Sequence, residues 1–581
     1  MKRIDFILLI AALGCLFSCS PKLKDGEYEL HLFTTNDVHG HYFDSTYVSD
    51  RLTTSLMSAY GYVNNVREEV GAENVILVDA GDCLQGDNAS YYFNYVDTEA
   101  KHVYARMAEY MGYDAVVVGN HDIETGHPVY DRMRKTMRVP FLAANCIDTA
   151  TGKPYFQEYT MIGRQGLKIA IIGFTNPNIH NWLSQKLWSG LEFRELKPMA
   201  QELVDRVVAK EHPDVVIVAI HSGTGDEQGN NENHGLMLFN SLKGVDFLVC
   251  AHDHRPVVYE KEDICLINSG SHCRNLGHGT IRIKVEGGKV VSKTRSADLV
   301  SLDKAKVNKE MQAAFHEDYE AVKAFTVKEI GELKMDLRTR DAYVGMNDYM
   351  NLLHTLTIES TSAELSMAAP LTFNGFVKHG TLLYNDLFTI YPYENQLFVV
   401  NMTGAEIRNY LEMSYDGWIN TVSRGSEHIL KIVNEADPRT GQKRWSFVNR
   451  SYNFDSCGGL VYKVDCTQPM GKRIVIEGLA DGRAFDDAAT YKVGMTSYRA
   501  SGGGGLMRQG AGIDTDRIDE RVVEYCPEIR NMLYDYTLKV KTIGSEQIGR
   551  PELVGHWTFE PASIVGPLME KDMDLLFPRR K

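Results

Sequence analysis

Short apolar runs alternate with longer amphipathic stretches through the first half of the chain. Residues 28–34, 75–79, 115–118, 169–172, 215–220 and 247–250 are dominated by Val, Ile, Leu and other apolar side chains. Stretches 104–111 and 199–210, lying between them, carry the mixed spacing of half-buried helices. Uninterrupted apolar runs predict strands buried on both faces, and their alternation with helices predicts an α/β layered domain over residues 26–300. In such sheets, ligand sites collect beyond the carboxyl ends of the strands.

Polar clusters stand at those ends. Asp37-Val38-His39-Gly40, Gly81-Asp82 and Gly119-Asn120-His121-Asp122 follow the first three runs; His221 and Ala251-His252-Asp253-His254 follow the last two. Strand alternation predicts Asp37 and His39 on one side of the chain. Each cluster alone has an ordinary explanation: a solvated turn, a capping Asp, a structural His. Their recurrence at successive strand ends does not. Imidazole nitrogen with carboxylate or amide oxygen is a ligand set for Zn, Mn or Fe. The ligands outnumber what one ion needs, which predicts two divalent ions sharing a ligand and points to phosphate-ester hydrolysis. Cys83, beside Asp82, reads as packing, because no Cys-x-x-Cys partner exists.

The pattern changes at 304–328, a charged stretch that predicts one connecting helix in a linker over 301–330. A second, α+β domain is predicted over 331–545, with strands at 396–402 and 460–464, a helix at 404–413 and a Gly-rich loop at 501–505. Residues 546–581 show no clear period and remain unassigned.

The net charge of −15 excludes a surface for nucleic-acid polymers, which need basic patches; a single nucleotide held by metals stays open. Thirty Tyr and five Trp supply rings for stacking. At the N-terminus, Lys2 and Arg3 precede an apolar segment, 6–13, too short to span a bilayer. Leu16-Phe17-Ser18-Cys19 then resembles a bacterial lipoprotein cleavage box. Phe17 replaces the usual small residue, and Ala12-Leu13-Gly14-Cys15 competes. The reading is a signal over 1–19 with Cys19 lipidated, the alternative an ordinary secretory signal. Acyl chains would hold the protein on the cell envelope, and the absence of an acidic run after Cys19 favours the outer membrane, facing the periplasm. Export permits disulfides, but the spacing of the eight later cysteines assigns none. Cys457 and Cys466 are the closest pair in the C-terminal half, and Cys250 reads as a buried thiol. Nothing in the sequence marks an oligomeric state.

Taken as a set, the clusters resemble the calcineurin-like metallophosphoesterase signature, D-x-H … G-D … G-N-H-(D/E) … H … (G/A)-H-x-H, in complete order. The resemblance implies a layered α/β/β/α domain in which Asp37, His39, Asp82 and His254 hold one ion. Asp82, Asn120, His221 and His252 would hold the other, with Asp82 bridging. It also implies that His121 is a catalytic histidine outside the ligand set. Glu124, three residues on, is placed to orient it, where the resembling enzymes carry Asp or Asn.

The second half resembles exported 5′-nucleotidases and 2′,3′-cyclic-nucleotide phosphodiesterases. Ile390-Tyr391-Pro392-Tyr393-Glu394-Asn395 is similar to their P-F-G-N or Y-P-N segment, and Thr496-Ser497-Tyr498-Arg499-Ala500-Ser501-Gly502-Gly503-Gly504 to N-N-Y-R-A-x-G-G-G. This implies that Tyr393 and Tyr498 clamp the nucleobase and that Asn395 reaches its edge. The 5′-nucleotidase branch carries N-x-G-G-I-R before the aromatic motif; Ala368-Ala369-Pro370-Leu371-Thr372-Phe373-Asn374-Gly375 lacks that arginine. Ala368-Ala369-Pro370, Tyr452-Asn453-Phe454-Asp455 and Asp465-Cys466-Thr467-Gln468-Pro469 are similar to the cyclic-phosphodiesterase/3′-nucleotidase branch. The expected substrates are therefore 2′,3′-cyclic nucleotides and 3′-nucleotides. A 5′-nucleotidase is the first alternative. A non-catalytic envelope nucleotide-binding protein is the second, and the complete ligand set speaks against it.

Overall fold

The structure, a computed structural model, describes residues 23–578 apart from 184, 231, 305, 394 and 437–442. The predicted signal and Cys19 lie outside the described residues.

Two six-stranded sheets build the first domain. One runs Lys289–Ser301, Asn275–Glu286, Gly26–Thr35, Val75–Asp79, Ala115–Val117, Phe141–Leu142. The other runs Val257–Glu260, Cys265–Asn268, Phe247–Cys250, Val215–Ile220, Leu167–Phe174, Tyr159–Arg164. Their central strands pair in parallel. Along the first sheet the side chains alternate as a strand requires. Leu30, Leu32, Ile76, Val78, Ala115 and Val117 meet Ile169, Ile217 and Val249 of the second sheet in one core. Phe33, Leu77 and Val116 pack outward on the helices Leu56–Val70 and Val103–Met111. On the far side, Ile172, Val216 and Leu248 meet the helix Leu196–Glu211. The result is four layers, α/β/β/α, with both strand faces buried, which is why the strands read as continuous apolar runs. Parallel register pairs Thr35 with Asp79 and Ile220 with Phe174, so the polar clusters emerge side by side.

The connecting stretch departs from its sequence reading as one helix. It forms Lys309–Ala314 and His316–Thr326, broken at Phe315 (φ −113°, ψ 17°). Phe315 is buried in the first core, edge-on to Tyr110, and anchoring that ring there takes its backbone out of helical geometry.

The second domain centres on a five-stranded sheet ordered Ser456–Gly458, Leu365–Ala368, Thr490–Thr496, Gln396–Thr403, Val522–Glu528. Thr403 and Glu406 form a capping box that starts the helix Gly404–Trp418. That helix runs beyond its predicted end because Tyr415 and Trp418 bury in the core. The unassigned tail belongs to the same core. Gly555–Glu560 pairs in parallel with Leu460–Asp465, and the helix Ala562–Leu576 buries Val565, Met569 and Leu576 beside Trp557. Pro567 inside that helix is a strong helix breaker by propensity, which hides the element from a periodicity reading. All eight described cysteines are buried and free, Cys250, Cys457 and Cys466 included. Among the described residues, no helix is long and apolar enough to cross a membrane.

His354, fully buried in the helix Asp348–Ser360, lies between the hydroxyls of Ser366 (3.0 Å) and Ser456 (3.2 Å). Burial pushes its imidazole down to about 3, against about 6.5 in an unfolded chain. Only the neutral form fits, so this contribution to stability is complete above pH 6.5 and falls away as the pH drops toward 3. At roughly 1.4 kcal/mol per pH unit, about 2 kcal/mol is lost by pH 5. Thermal melting between pH 7 and 5 checks this: His354→Gln is expected to decline less steeply than the wild type, and parallel slopes would contradict it.

Candidate active site

Five of the seven candidate ligands sit in left-handed backbone conformations. The first strand ends at Thr35, and Asp37 and His39 follow with φ of 48° each. Strand alternation therefore does not place them; two left-handed residues flanking the buried Val38 do. Asp82 (59°), His252 (72°) and His254 (55°) share the conformation, which is uncommon outside Gly and clusters at functional sites. The turns are pinned to each other. Asp37 N–H donates to Gly81 O at 2.8 Å and His39 N–H to Asp82 O at 3.0 Å. The buried Asp122 carboxylate accepts N–H bonds from Gly119, Asp82, Cys83 and Leu84 at 2.7–3.1 Å. Two glycines allow the approach: a Cβ on Gly119 would lie 2.1 Å from Asp82 Oδ1, and one on Gly81 2.8 Å from His221 Nδ1.

Two groups of ligand atoms result. Asp37, His39 and His254 form one, and Asp82, His221 and His252 the other, each within a 4.8 Å span. In the first, His39 Nε2 stands 3.0 Å from His254 Nε2, which is 3.4 Å from Asp37 Oδ1. In the second, Asn120 Oδ1 lies 3.0 Å from His221 Nε2 and 2.9 Å from His252 Nδ1, and Asp82 Oδ2 is 3.0 Å from His221 Nε2. The structure thus brings all seven predicted ligands together, with Asp82 in the second group; its Oδ1 accepts the His121 N–H at 2.8 Å.

The chemistry of these atoms fits cations. His221 Nδ1 faces the Ala80 carbonyl at 2.8 Å and His39 Nδ1 the Gln85 carbonyl at 3.1 Å. A carbonyl only accepts, so Nδ1 carries the proton and Nε2 turns a lone pair inward, the outer-shell arrangement of metal-bound imidazoles. Burial pushes His39 down to about 4 and His252 to about 3, keeping both neutral as ligation requires. Burial also works against charge on His221, but the Asp82 carboxylate outweighs it and raises that imidazole to about 9, so a cation binding there must displace a proton from Nε2. Asp82 itself is buried, yet the histidines around it hold it well below the carboxylate range. Trp182 stacks on His252, centroids 5.0 Å apart at 17°, and carries no sequence signal of a role here, whereas Asp122 closes the Gly119-Asn120-His121-Asp122 cluster.

His121 stands outside both groups, its ring 5.4 Å from His39. Its Nδ1 lies 2.5 Å from Glu124 Oε2, with the His side chain 34% and the Glu side chain 10% exposed. The structure therefore pairs the two residues as a dyad open to the cleft.

On the second domain, Tyr393 and Tyr498 are 38% and 39% exposed. Tyr452 sits between them and edge-on to both, 6.2 Å from Tyr393 at 79° and 6.4 Å from Tyr498 at 83°. Burial, with Tyr452 and Tyr498 nearby, pushes the Tyr393 hydroxyl up to about 12. A Cβ on Gly503 would come within 2.4 Å of the Tyr498 ring, so that glycine backbone packs one face of the tyrosine. Arg499, paired with Asp455 at 2.7 Å, fixes the turn bearing Tyr498. Arg530 donates to the carbonyls of Tyr391, Pro392 and Tyr393 and fixes the other side. Asn395 Nδ2 donates one N–H to the Tyr391 hydroxyl at 3.3 Å, leaving its second N–H and Oδ1 for a ligand. The two domains touch: Asn88 donates to Asn385 at 2.9 Å, and the Tyr91 hydroxyl donates to Asn531.

Comparison with known proteins agrees with this geometry. Residues 31–256 match the family model described as calcineurin-like phosphoesterase, and residues 326–509 the one described as 5′-nucleotidase, C-terminal domain. The chain joins a calcineurin-like phosphoesterase domain to a 5′-nucleotidase C-terminal domain. It is 25% identical to the trifunctional nucleotide phosphoesterase protein YfkN of Bacillus subtilis, over 92% of this chain but 39% of that longer protein. It is also 25% identical to the 2′,3′-cyclic-nucleotide 2′-phosphodiesterase/3′-nucleotidase of Salmonella typhimurium, over 82% of each chain. A Staphylococcus aureus crystal structure described as a candidate 5′-nucleotidase superposes with a TM-score of 0.73 at 20% identity, covering 92% of this chain and all of that one; this likeness concerns the fold. Calcineurin-like phosphoesterases use a dinuclear divalent metal site, and the two ligand groups of this phosphoesterase domain are its candidates.

Proposed function

We propose that the chain hydrolyses 2′,3′-cyclic nucleotides and 3′-nucleotides at a two-metal centre. The observation that carries this reading is the pair of ligand groups with the His121–Glu124 dyad beside them; the tyrosine cluster of the second domain supports a nucleotide substrate. Asp37, His39 and His254 would hold one ion, Asn120, His221 and His252 the other, and Asp82 would bridge. Two divalent ions of the Zn, Mn or Fe kind supply an acidified water and neutralise phosphoryl oxygens when bound. His121 donates from Nε2 to the leaving oxygen while Glu124 holds its Nδ1 proton. With a 2′,3′-cyclic nucleotide, the water oxygen bonds to phosphorus, the P–O2′ bond breaks, and O2′ takes the proton, giving the 3′-nucleotide. A second hydrolysis at the same centre breaks P–O3′ and releases phosphate.

Tyr393 and Tyr498 grip the base, with Tyr452 as the back of the slot. Stacking is worth roughly 1–3 kcal/mol per base. Tyr498→Ala is therefore expected to raise KM for 3′-AMP about fivefold or more while leaving kcat near wild type; an unchanged KM would remove the clamp. The missing arginine in Ala368–Gly375 supports the cyclic/3′ branch over a 5′-nucleotidase. Initial rates on 2′,3′-cyclic AMP, 3′-AMP and 5′-AMP with added Mn²⁺ test the assignment, and turnover of 5′-AMP alone would reverse it. The envelope placement rests on the segment ending at Cys19: Cys19→Ala is expected to shift the protein from the membrane to the soluble fraction, and unaltered membrane association would refute lipidation.

A further inference from the structure

Among the described residues, eleven non-glycine residues have a positive φ, and seven of them are candidate ligands or lie beside these. Five are candidate ligands; the other two are His272 (58°) and Cys273 (49°), which the sequence reading left without a role. The conformation of His272 is enforced from both sides. Its N–H donates to the Asp37 carbonyl at 2.8 Å, and its carbonyl accepts the Thr54 hydroxyl at 2.9 Å. Cys273 beyond it is buried in the first core. A residue held in a costly backbone state by its surroundings marks a side chain whose direction matters.

The ring lies beside the first ligand group. The His272 ring lies 5.5 Å from His39 and 6.0 Å from His254, the two imidazoles that converge on the first ion position. Its outer neighbour is His41, 4.6 Å away and edge-on. Nδ1 meets the Ser271 hydroxyl at 2.8 Å. Nε2 has no hydrogen-bond partner among the described residues, yet the ring is mostly enclosed. In the tautomer in which Ser271 donates to Nδ1, Nε2 bears a proton with no protein acceptor, beside a centre built for oxyanions.

We propose that His272 is an oxyanion-binding residue of the centre: its Nε2–H donates to a phosphoryl oxygen of the substrate, or of product phosphate, held at the Asp37–His39–His254 ion. The inference rests on the phosphoesterase reading and adds a phosphate contact beside His39 and His254. Its test separates the two. Calorimetric titration of the Mn²⁺-loaded protein with inorganic phosphate is compared for wild type, His272→Asn and His272→Gln. Asn tolerates the left-handed backbone but withdraws the donor; Gln keeps a donor at longer reach. His272→Asn is expected to weaken phosphate binding about tenfold to a hundredfold, the range for a hydrogen bond to a charged group. His272→Gln should recover part of that, with metal content and melting temperature at wild-type values in both. Equal phosphate affinity in all three proteins, or weakening that tracks lost metal, would overturn the proposal. Wild-type turnover of nucleotides, measured alongside, reports on the phosphoesterase reading by itself.

Discussion

Asp82→Asn is expected to reduce kcat/KM by about three orders of magnitude or more, because two bound ions contribute several kcal/mol to phosphoryl transfer. Asp82 lies in the second ligand group, 3.0 Å from His221 Nε2, and would bridge to the first. An amide preserves the size and one acceptor, so the bond from His121 N–H to Oδ1 survives. What disappears is the negative charge between clustered imidazoles. Metal content by elemental analysis should fall from about two ions per chain toward one or none. Without metal, the variant is expected to melt lower than the metal-free wild type, since His221 loses the carboxylate that is paired with it. The stabilisation that added Mn²⁺ gives the wild type should be missing. Two ions and wild-type turnover in Asp82→Asn would sink the bridging role.

His121→Ala is expected to lower kcat by about 10²–10⁴-fold with metal content intact, the usual range for a positioned general acid. The geometry supplies a sharper test than loss of rate. A proton donated to the leaving oxygen matters when that oxygen is a ribose hydroxyl and matters little for 4-nitrophenolate, which departs unprotonated. The defect should therefore be large on 3′-AMP and much smaller on bis-4-nitrophenyl phosphate. Glu124→Gln keeps a hydrogen-bond partner 2.5 Å from Nδ1 but removes the charge, so its defect should follow the same substrate order at a smaller size. Equal losses on both esters would mean that His121 steadies the phosphoryl group rather than the departing oxygen.

Much of this architecture was legible because buried parallel strands announce themselves. Val75–Asp79, Val215–Ile220 and Phe247–Cys250 occupy the residues their apolar runs predict, and candidate ligands follow at their ends. The mode of presentation was not legible. Nothing in Asp-Val-His shows that both polar residues adopt left-handed conformations, because that depends on hydrogen bonds to Gly81 and Asp82, some forty residues away. Tyr452 was visible only as part of a motif, because its place between Tyr393 and Tyr498 is a product of tertiary packing. Arg530 and His272 have no local pattern at all: the partners beside them are distant in sequence. The linker break and the tail helix failed for local reasons, an aromatic anchor at Phe315 and a proline at 567.

The left-handed turns also set a conflict between durability and chemistry. An L side chain in that conformation costs roughly 1 kcal/mol or more, which glycine avoids. Asp37, His39, Asp82, His252 and His254 all bear that cost, on top of burying charge and imidazole. A directed-evolution campaign scored only on thermostability would therefore enrich Gly and Asn at these five positions and yield tougher proteins with an emptied centre.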